Sequence, residues 1–206
     1  MEFEEYKKER IEALRESVRF FSNDGKKESE VWVVEKFLDA LDMTYTESEI
    51  IRLTQKDEPP DVTFRDANFE VMELYDEERL RCKEYTDMLN QMEAATSYND
   101  ILKPETWDIE EVSLHELLAT GEERLHKKKG HFSADVKATL DVLIYVNIRK
   151  ITITDEDNMV TLPEVSKLAQ WRSVAFIFDR ARVSVVYASD SAPDFIQDIA
   201  GKVIRK

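Results

Sequence analysis

Pro60-Asp61-Val62-Thr63-Phe64-Arg65-Asp66-Ala67-Asn68-Phe69-Glu70-Val71-Met72 is the stretch on which the fold turns. Its residues alternate as two strands do, Asp61–Arg65 and Asn68–Tyr75, because successive side chains of a strand point to opposite faces. Closing the hairpin on Asp66-Ala67 sets Arg65 against Asn68, Thr63 against Glu70 and Asp61 against Met72. Val62, Phe64, Phe69 and Val71 then share an apolar face, while Asp61, Thr63, Glu70 and Met72 share the other. Asp61 and Glu70 become diagonal neighbours, roughly 7–8 Å apart at the backbone. A loop longer by one residue would send the two carboxylates to opposite faces. Glu73 falls on the apolar face, which this register explains only by fraying at the strand end.

Working outward, Glu2 to Phe21 reads as an amphipathic helix, ended by Ser22-Asn23-Asp24-Gly25 with Gly25 as a left-handed cap. A second helix runs from about Lys27 to Leu41, with Val31, Val34, Phe37, Leu38 and Leu41 as its core stripe. Glu30 lies inside that stripe, so it points with the core face towards the sheet, where an unpaired carboxylate is costly. Ile50–Leu53 reads as a short strand, and Pro59-Pro60 bars helix and inner strand alike. Downstream, Asp76 caps a polar helix reaching about Ala95, Ser97–Trp107 is loop, and Ser113 to about Lys129 is helical until Gly130. Leu140 to Ile148 is almost continuously apolar, the mark of a strand covered on both faces. Residues 172–178 and 182–188 form a second hairpin around Asp179-Arg180, before a last helix from about Pro193.

The simplest fold for this order is α/β, a mixed central sheet flanked by helices on both faces. At 206 residues it fits a single domain, with an N-terminal helix over 1–25, a core over 26–150, and a C-terminal hairpin and helix over 151–206. Cys82 is the one cysteine, so no internal disulfide can form, as suits a reducing compartment. With no signal-peptide pattern and no apolar run of about 18 residues, the expected setting is the cytoplasm, with no membrane partner. The oligomeric state is not legible.

Charge argues against a general nucleic-acid binder. The net charge is −15, and the first hundred residues hold 14 Lys and Arg against 27 Asp and Glu. Affinity for nucleic acid comes largely from neutralising phosphates, so contact here must use local patches or divalent cations. The densest local positive charge is Lys127-Lys128-Lys129, just ahead of the central strand. Two carboxylates on one face repel unless a cation lies between them or one holds a proton. Hard oxygen ligands so spaced suit Mg²⁺. Each feature also has a plainer reading: solvated hairpin acids, a first-turn glutamate favoured by the helix dipole, and lysines favoured at a helix C-terminus. His126 and His131 are poorly spaced for zinc, and no Gly-rich phosphate loop or nucleophile elbow is present.

Glu30 on an early helix, Pro60-Asp61, and then Glu70-Val71-Met72 in the next strand resemble the PD-(D/E)XK nuclease superfamily. The block from Glu58-Pro59-Pro60-Asp61 to Phe69-Glu70-Val71 is more closely similar to a small bacterial family known as endonucleases of unknown function. The segments Glu30–Leu41, Gln170–Ser173 and Ala192–Phe195 resemble that family too. The superfamily resemblance implies a restriction-endonuclease-like core and Mg²⁺- or Mn²⁺-dependent hydrolysis of phosphodiester bonds. Asp61 and Glu70 would bind the metal, and Glu30 would help hold it or its water. The superfamily lysine belongs two residues after the glutamate, where this chain has Met72, an apolar thioether. Lys129 is the substitute chosen for that cation. Two functions follow: a divergent metal-dependent endonuclease, favoured by the three carboxylates, or a catalytically inactive nuclease-fold interaction module, favoured by Met72 and the net charge.

Overall fold

In the computed structural model the apolar run around Val142 is strand β5 (Asp141–Asn147), and the sheet is built outward from it. The structure describes residues 2–22, 25–54, 56–76, 80–101, 109–149, 151–153, 168–178 and 182–205. The remaining strands of the large sheet are β1 (Ile50–Arg52), β2 (Val62–Phe64), β3 (Ala67–Tyr75), β7 (Ser173–Ile177), β8 (Arg182–Ala188) and β9 (Val203–Arg205). Their order is β1-β2-β3-β5-β7-β8-β9, which puts β5 at the centre. β3, β5 and β7 run parallel, and the outer pairs are antiparallel. Two further strands, β4 (Glu110–Val112) and β6 (Ile151–Ile153), pair in parallel as a separate small sheet. The helices are α1 (Phe3–Phe20), α2 (Lys26–Ala40), α3 (Arg81–Ala94), α4 (Leu114–Lys129), α5 (Ala134–Lys137) and α6 (Asp194–Gln197).

The chain clusters into two compact units. One comprises residues 1–29 and 77–108, and the other residues 30–76 and 109–206. In the first, Lys7 Nζ on α1 donates to the Glu93 and Ala95 carbonyl oxygens at the end of α3, and Phe21 stacks on Tyr85. Gly25 is not the left-handed cap expected, since among the described glycines only Gly201 has positive φ. Space is the reason instead. A Cβ on Gly25 would sit 2.3 Å from the Arg19 carbonyl oxygen and 2.4 Å from that of Phe20. α3 begins at Arg81 with Leu80 as its N-cap, and Asp76 instead accepts a hydrogen bond from the Arg149 N–H at 3.2 Å.

In the second unit the β5 alternation feeds two cores. Leu143 faces the cluster of Val33, Val34, Phe37 and Leu38 from α2 with Val62, Phe64 and Phe69. Val142 and Ile144 face Leu117 and Leu125 of α4 with Met72, Val174 and Phe176. Each such side chain removed from water contributes about 1.5–3 kcal/mol. α4 starts on a capping box, with the Ser113 hydroxyl accepting from the Glu116 N–H at 3.1 Å. It lies close to the sheet at Gly121, where a Cβ would meet the Phe176 ring at 2.4 Å. The hairpin turn Asp179-Arg180 falls outside the described residues, as does part of the expected Ser97–Trp107 loop.

Candidate metal site

The β2–β3 hairpin closes on Arg65-Asp66, not Asp66-Ala67, because Phe64 pairs with Ala67, Thr63 with Asn68 and Val62 with Phe69. Ala67 is fully buried in the α2 core, which draws it out of the turn and into the strand. Arg65 takes the turn position at φ 53, a left-handed conformation that disfavours side chains. It is held there by Glu49 and the Thr44 carbonyl oxygen, both at 2.9 Å, and by its guanidinium over the Phe64 ring. The slip moves each strand by one residue, so the parity of the faces survives. Asp61, expected opposite Met72, is instead carried opposite Glu70 by continuing this register.

Asp61 grips both neighbours of Glu70. Its N–H donates to the Phe69 carbonyl oxygen at 3.0 Å, and its Oδ2 accepts from the Val71 N–H at 2.9 Å. Its own carbonyl oxygen accepts from the Leu53 N–H at 2.9 Å, which ties the end of β1 to the site. Asp61 is 4% exposed and Glu70 2%, so the solvated-hairpin reading of these two acids does not hold. Lys129, the last residue of α4, pairs its Nζ with Glu70 Oε1. Burial pushes the Glu70 carboxyl above its ordinary range, Asp61 and Glu58 push it further by repulsion, and Lys129 draws it back.

Glu30 is also buried, but its partner is Arg52 of β1, with Oε2 at 3.4 Å from Nη2. Arg52 pairs with Val62 on the sheet, and α2 covers that face. The structure therefore joins Asp61, Glu70 and Lys129 and gives Glu30 to Arg52. Among the described residues no group of three or more His, Cys, Asp or Glu is arranged to hold a metal ion. Two carboxylate oxygens, Asp61 Oδ1 and Glu70 Oε2, accept no hydrogen bond among the described residues. Two hard oxygens beside a repelling carboxylate pair are the donor set that a small divalent cation takes, with water filling the rest of its shell. Met72 is 3% exposed in the α4 core and offers nothing to this site.

Sequence reading missed Arg52 and Glu58 as neighbours of the site. Arg52 lies in the short strand it did identify, and the buried position inferred for Glu30 was the signal that a cation had to face it. Glu73, expected at a fraying strand end, accepts from Asn147 Nδ2 at 2.8 Å. Beside Glu70, on the adjacent strand, sits a second buried acid. Asp141 is wholly buried and bound by the Arg172 guanidinium, by Ser173 Oγ at 2.7 Å and by the Asn68 N–H at 2.9 Å. Arg172 also donates to the Asp66 carbonyl oxygen at 3.1 Å, so this cluster clasps the hairpin turn.

The fold and site define an α/β protein with a mixed seven-stranded sheet and a buried carboxylate pair faced by a lysine. The chain matches the family model "Putative endonuclease, protein of unknown function (DUF1780)" over residues 2–206, and it belongs to that family. It is similar to a solved structure of a protein of unknown function from Pseudomonas aeruginosa strain PAO1, described there as of a monooxygenase superfamily. Identity is 24%, the TM-score is 0.67, and the match covers 98% of this chain and 94% of the other. That likeness shows the fold alone. No curated protein matches the chain. Among the described residues no helix is long and apolar enough to cross a membrane.

Proposed function

We propose that the chain is a divalent-cation-dependent nuclease with a restriction-endonuclease-like core, hydrolysing phosphodiester bonds of DNA or RNA. The observation that carries this reading is the buried Asp61–Glu70 pair with Lys129 against it. The finer fold assignment is supported by the run β1-β2-β3-β5, a mixed four-stranded sheet with α2 on one face and α4 on the other. The family description supports the coarse activity.

Asp61 and Glu70 would hold Mg²⁺ or Mn²⁺, which when bound lowers the pKa of its water and screens phosphate charge. Asp61 is already oriented by its backbone contacts, so its free oxygen needs little reorganisation. Burial and the neighbouring Asp61 disfavour the charged form of Glu70, and a bound cation would favour it as Lys129 does. Lys129 stands in for the lysine that Met72 replaces. It arrives from α4 rather than β3, and it places a positive charge where a phosphate oxygen would approach the pair. Glu30 is held by Arg52 and, among the described residues, is not part of this donor pair.

Met72 in the core and the net charge of −15 favour the second reading, a catalytically inactive nuclease-fold module that binds a partner. The deciding experiment is cleavage of a mixed DNA and RNA panel with Mg²⁺ or Mn²⁺, comparing wild type with Asp61→Ala. Cleavage that needs metal and disappears in Asp61→Ala supports the nuclease. No cleavage by wild type with either ion leaves the interaction module as the better account.

A further inference from the structure

The C-terminal half of α4 carries an isolated concentration of positive charge. From residue 124 to residue 134 the chain has Arg124, Lys127, Lys128 and Lys129 and no Asp or Glu, in a protein of net charge −15. His126, Lys127, Lys128 and His131 are exposed. Glu122 and Glu123, immediately before it, mark where the basic stretch begins. Part of it is anchored on β3: Lys128 Nζ lies 4.9 Å from the centre of the Tyr75 ring, and Arg124 Cζ lies 6.0 Å from it. At its other end Lys129 meets Glu70. One helix thus lays cations from the C-terminal end of β3 to the carboxylate pair.

We infer that this surface, centred on Lys127 and Lys128, binds the phosphate backbone of a nucleic-acid strand and leads it to the Asp61–Glu70 pair. The inference rests on the nuclease reading for its choice of occupant, because the patch runs continuously into a site suited to a phosphodiester. Charge complementarity does the rest. In a chain of net charge −15, polyanions bind where cations are grouped, and a long charged stem held against an aromatic ring keeps its charge in place. Recognition by lysines at phosphates carries no sequence preference.

The test is fluorescence anisotropy of a labelled short duplex and of a single strand, in EDTA so that nothing is cut, over salt from about 50 to 200 mM. The proteins are wild type, Lys127→Ala/Lys128→Ala and Lys127→Arg/Lys128→Arg. The alanine pair is expected to lose at least about tenfold in affinity, and its log–log salt slope on duplex to fall by about 1.8, roughly 0.9 for each phosphate contact removed. The arginine pair, which keeps the charge, is expected to bind as wild type does. Wild-type affinity and slope in the alanine pair would overturn the inference, as would wild type that binds neither strand. A poly-glutamate peptide competing as well as nucleic acid would also overturn it, in favour of an acidic protein partner. Salt-dependent binding without any metal-dependent cleavage refutes the nuclease and keeps the surface. Cleavage dependent on Asp61, with binding unchanged in the alanine pair, does the reverse.

Discussion

Glu70 and Asp141 sit one residue out of step on neighbouring strands, since Phe69 pairs with Asp141 and Glu70 with Val142. They therefore face opposite sides of the sheet, and they are almost equally buried, at 2% and 0% exposure. Their surroundings differ. Asp141 receives the guanidinium of Arg172 on both oxygens, a hydroxyl and a backbone N–H, so its charge is compensated within the fold. Glu70 has one lysine on one oxygen and a repelling aspartate beside it. Depth alone does not make a buried acid structural or functional. What separates them is how far the groups around each acid compensate its charge.

The sharpest way to break this comparison is Asp141→Ala, which leaves the mostly buried Arg172 guanidinium without its carboxylate. A loss of about 3–5 kcal/mol is expected, read from denaturant midpoints at unchanged slope. A loss below about 1 kcal/mol would mean that Asp141 is no more structural than Glu70. Glu70→Gln is next. It removes the repulsion with Asp61 and the cost of a buried charge, while Lys129, 23% exposed, can turn to water. Stability should change by no more than about 1 kcal/mol, whereas metal-dependent cleavage should fall at least about a hundredfold, near 2.7 kcal/mol of barrier.

Glu30→Ala places Glu30 on one side of the comparison or the other. As the partner of Arg52 alone it should cost about 1.5–3 kcal/mol of stability. Loss of cleavage matching that of Asp61→Ala, with stability intact, would place it with the metal pair. The smallest effect is expected from Lys129→Ala on pH dependence. The folded carboxyl of Glu70 titrates above its unfolded value, so stability falls as pH rises from the unfolded towards the folded value. Removing Lys129 takes away the influence that draws Glu70 down. Its titration should move higher still, and with it the acid limb of the cleavage profile. An acid limb that stays in place would detach Lys129 from Glu70.

On the Glu70 side of this pair much was readable beforehand, and for a definite reason. Periodicity finds elements, so α1, α2, α4, the hairpin strands and β5 fall within a few residues of where Phe37, Leu125 and Val142 demand them. It also places Asp61 and Glu70 on one face, since that depends only on parity, which a slip of one residue in each strand leaves alone. Lys129 was legible as charge density near a strand, though not as a contact. Less legible was everything set by long-range pairing. Arg172 reaches Asp141 across 31 residues of sequence, and Arg52 reaches Glu30 across 22. Short elements fared worst: β4, β6, β9 and α5 span only three or four residues, too few for a period to declare itself. The partition into two units was equally hidden, because 77–108 rejoins the N-terminal helix across the whole of 30–76.

Gly121 has a consequence beyond the packing of α4 on the sheet. With the Phe176 ring 2.4 Å from where a methyl group would stand, residue 121 works as a spacer of zero thickness between helix and sheet. Lys129 is eight residues further along, about 12 Å down the same rigid rod. A single added carbon at 121 would act as a shim, lifting the helix and withdrawing the ammonium from Glu70 without altering either residue. The reach of that lysine is therefore open to tuning by mutation at a residue packed against the Phe176 ring, with every acid and lysine of the chain left in place.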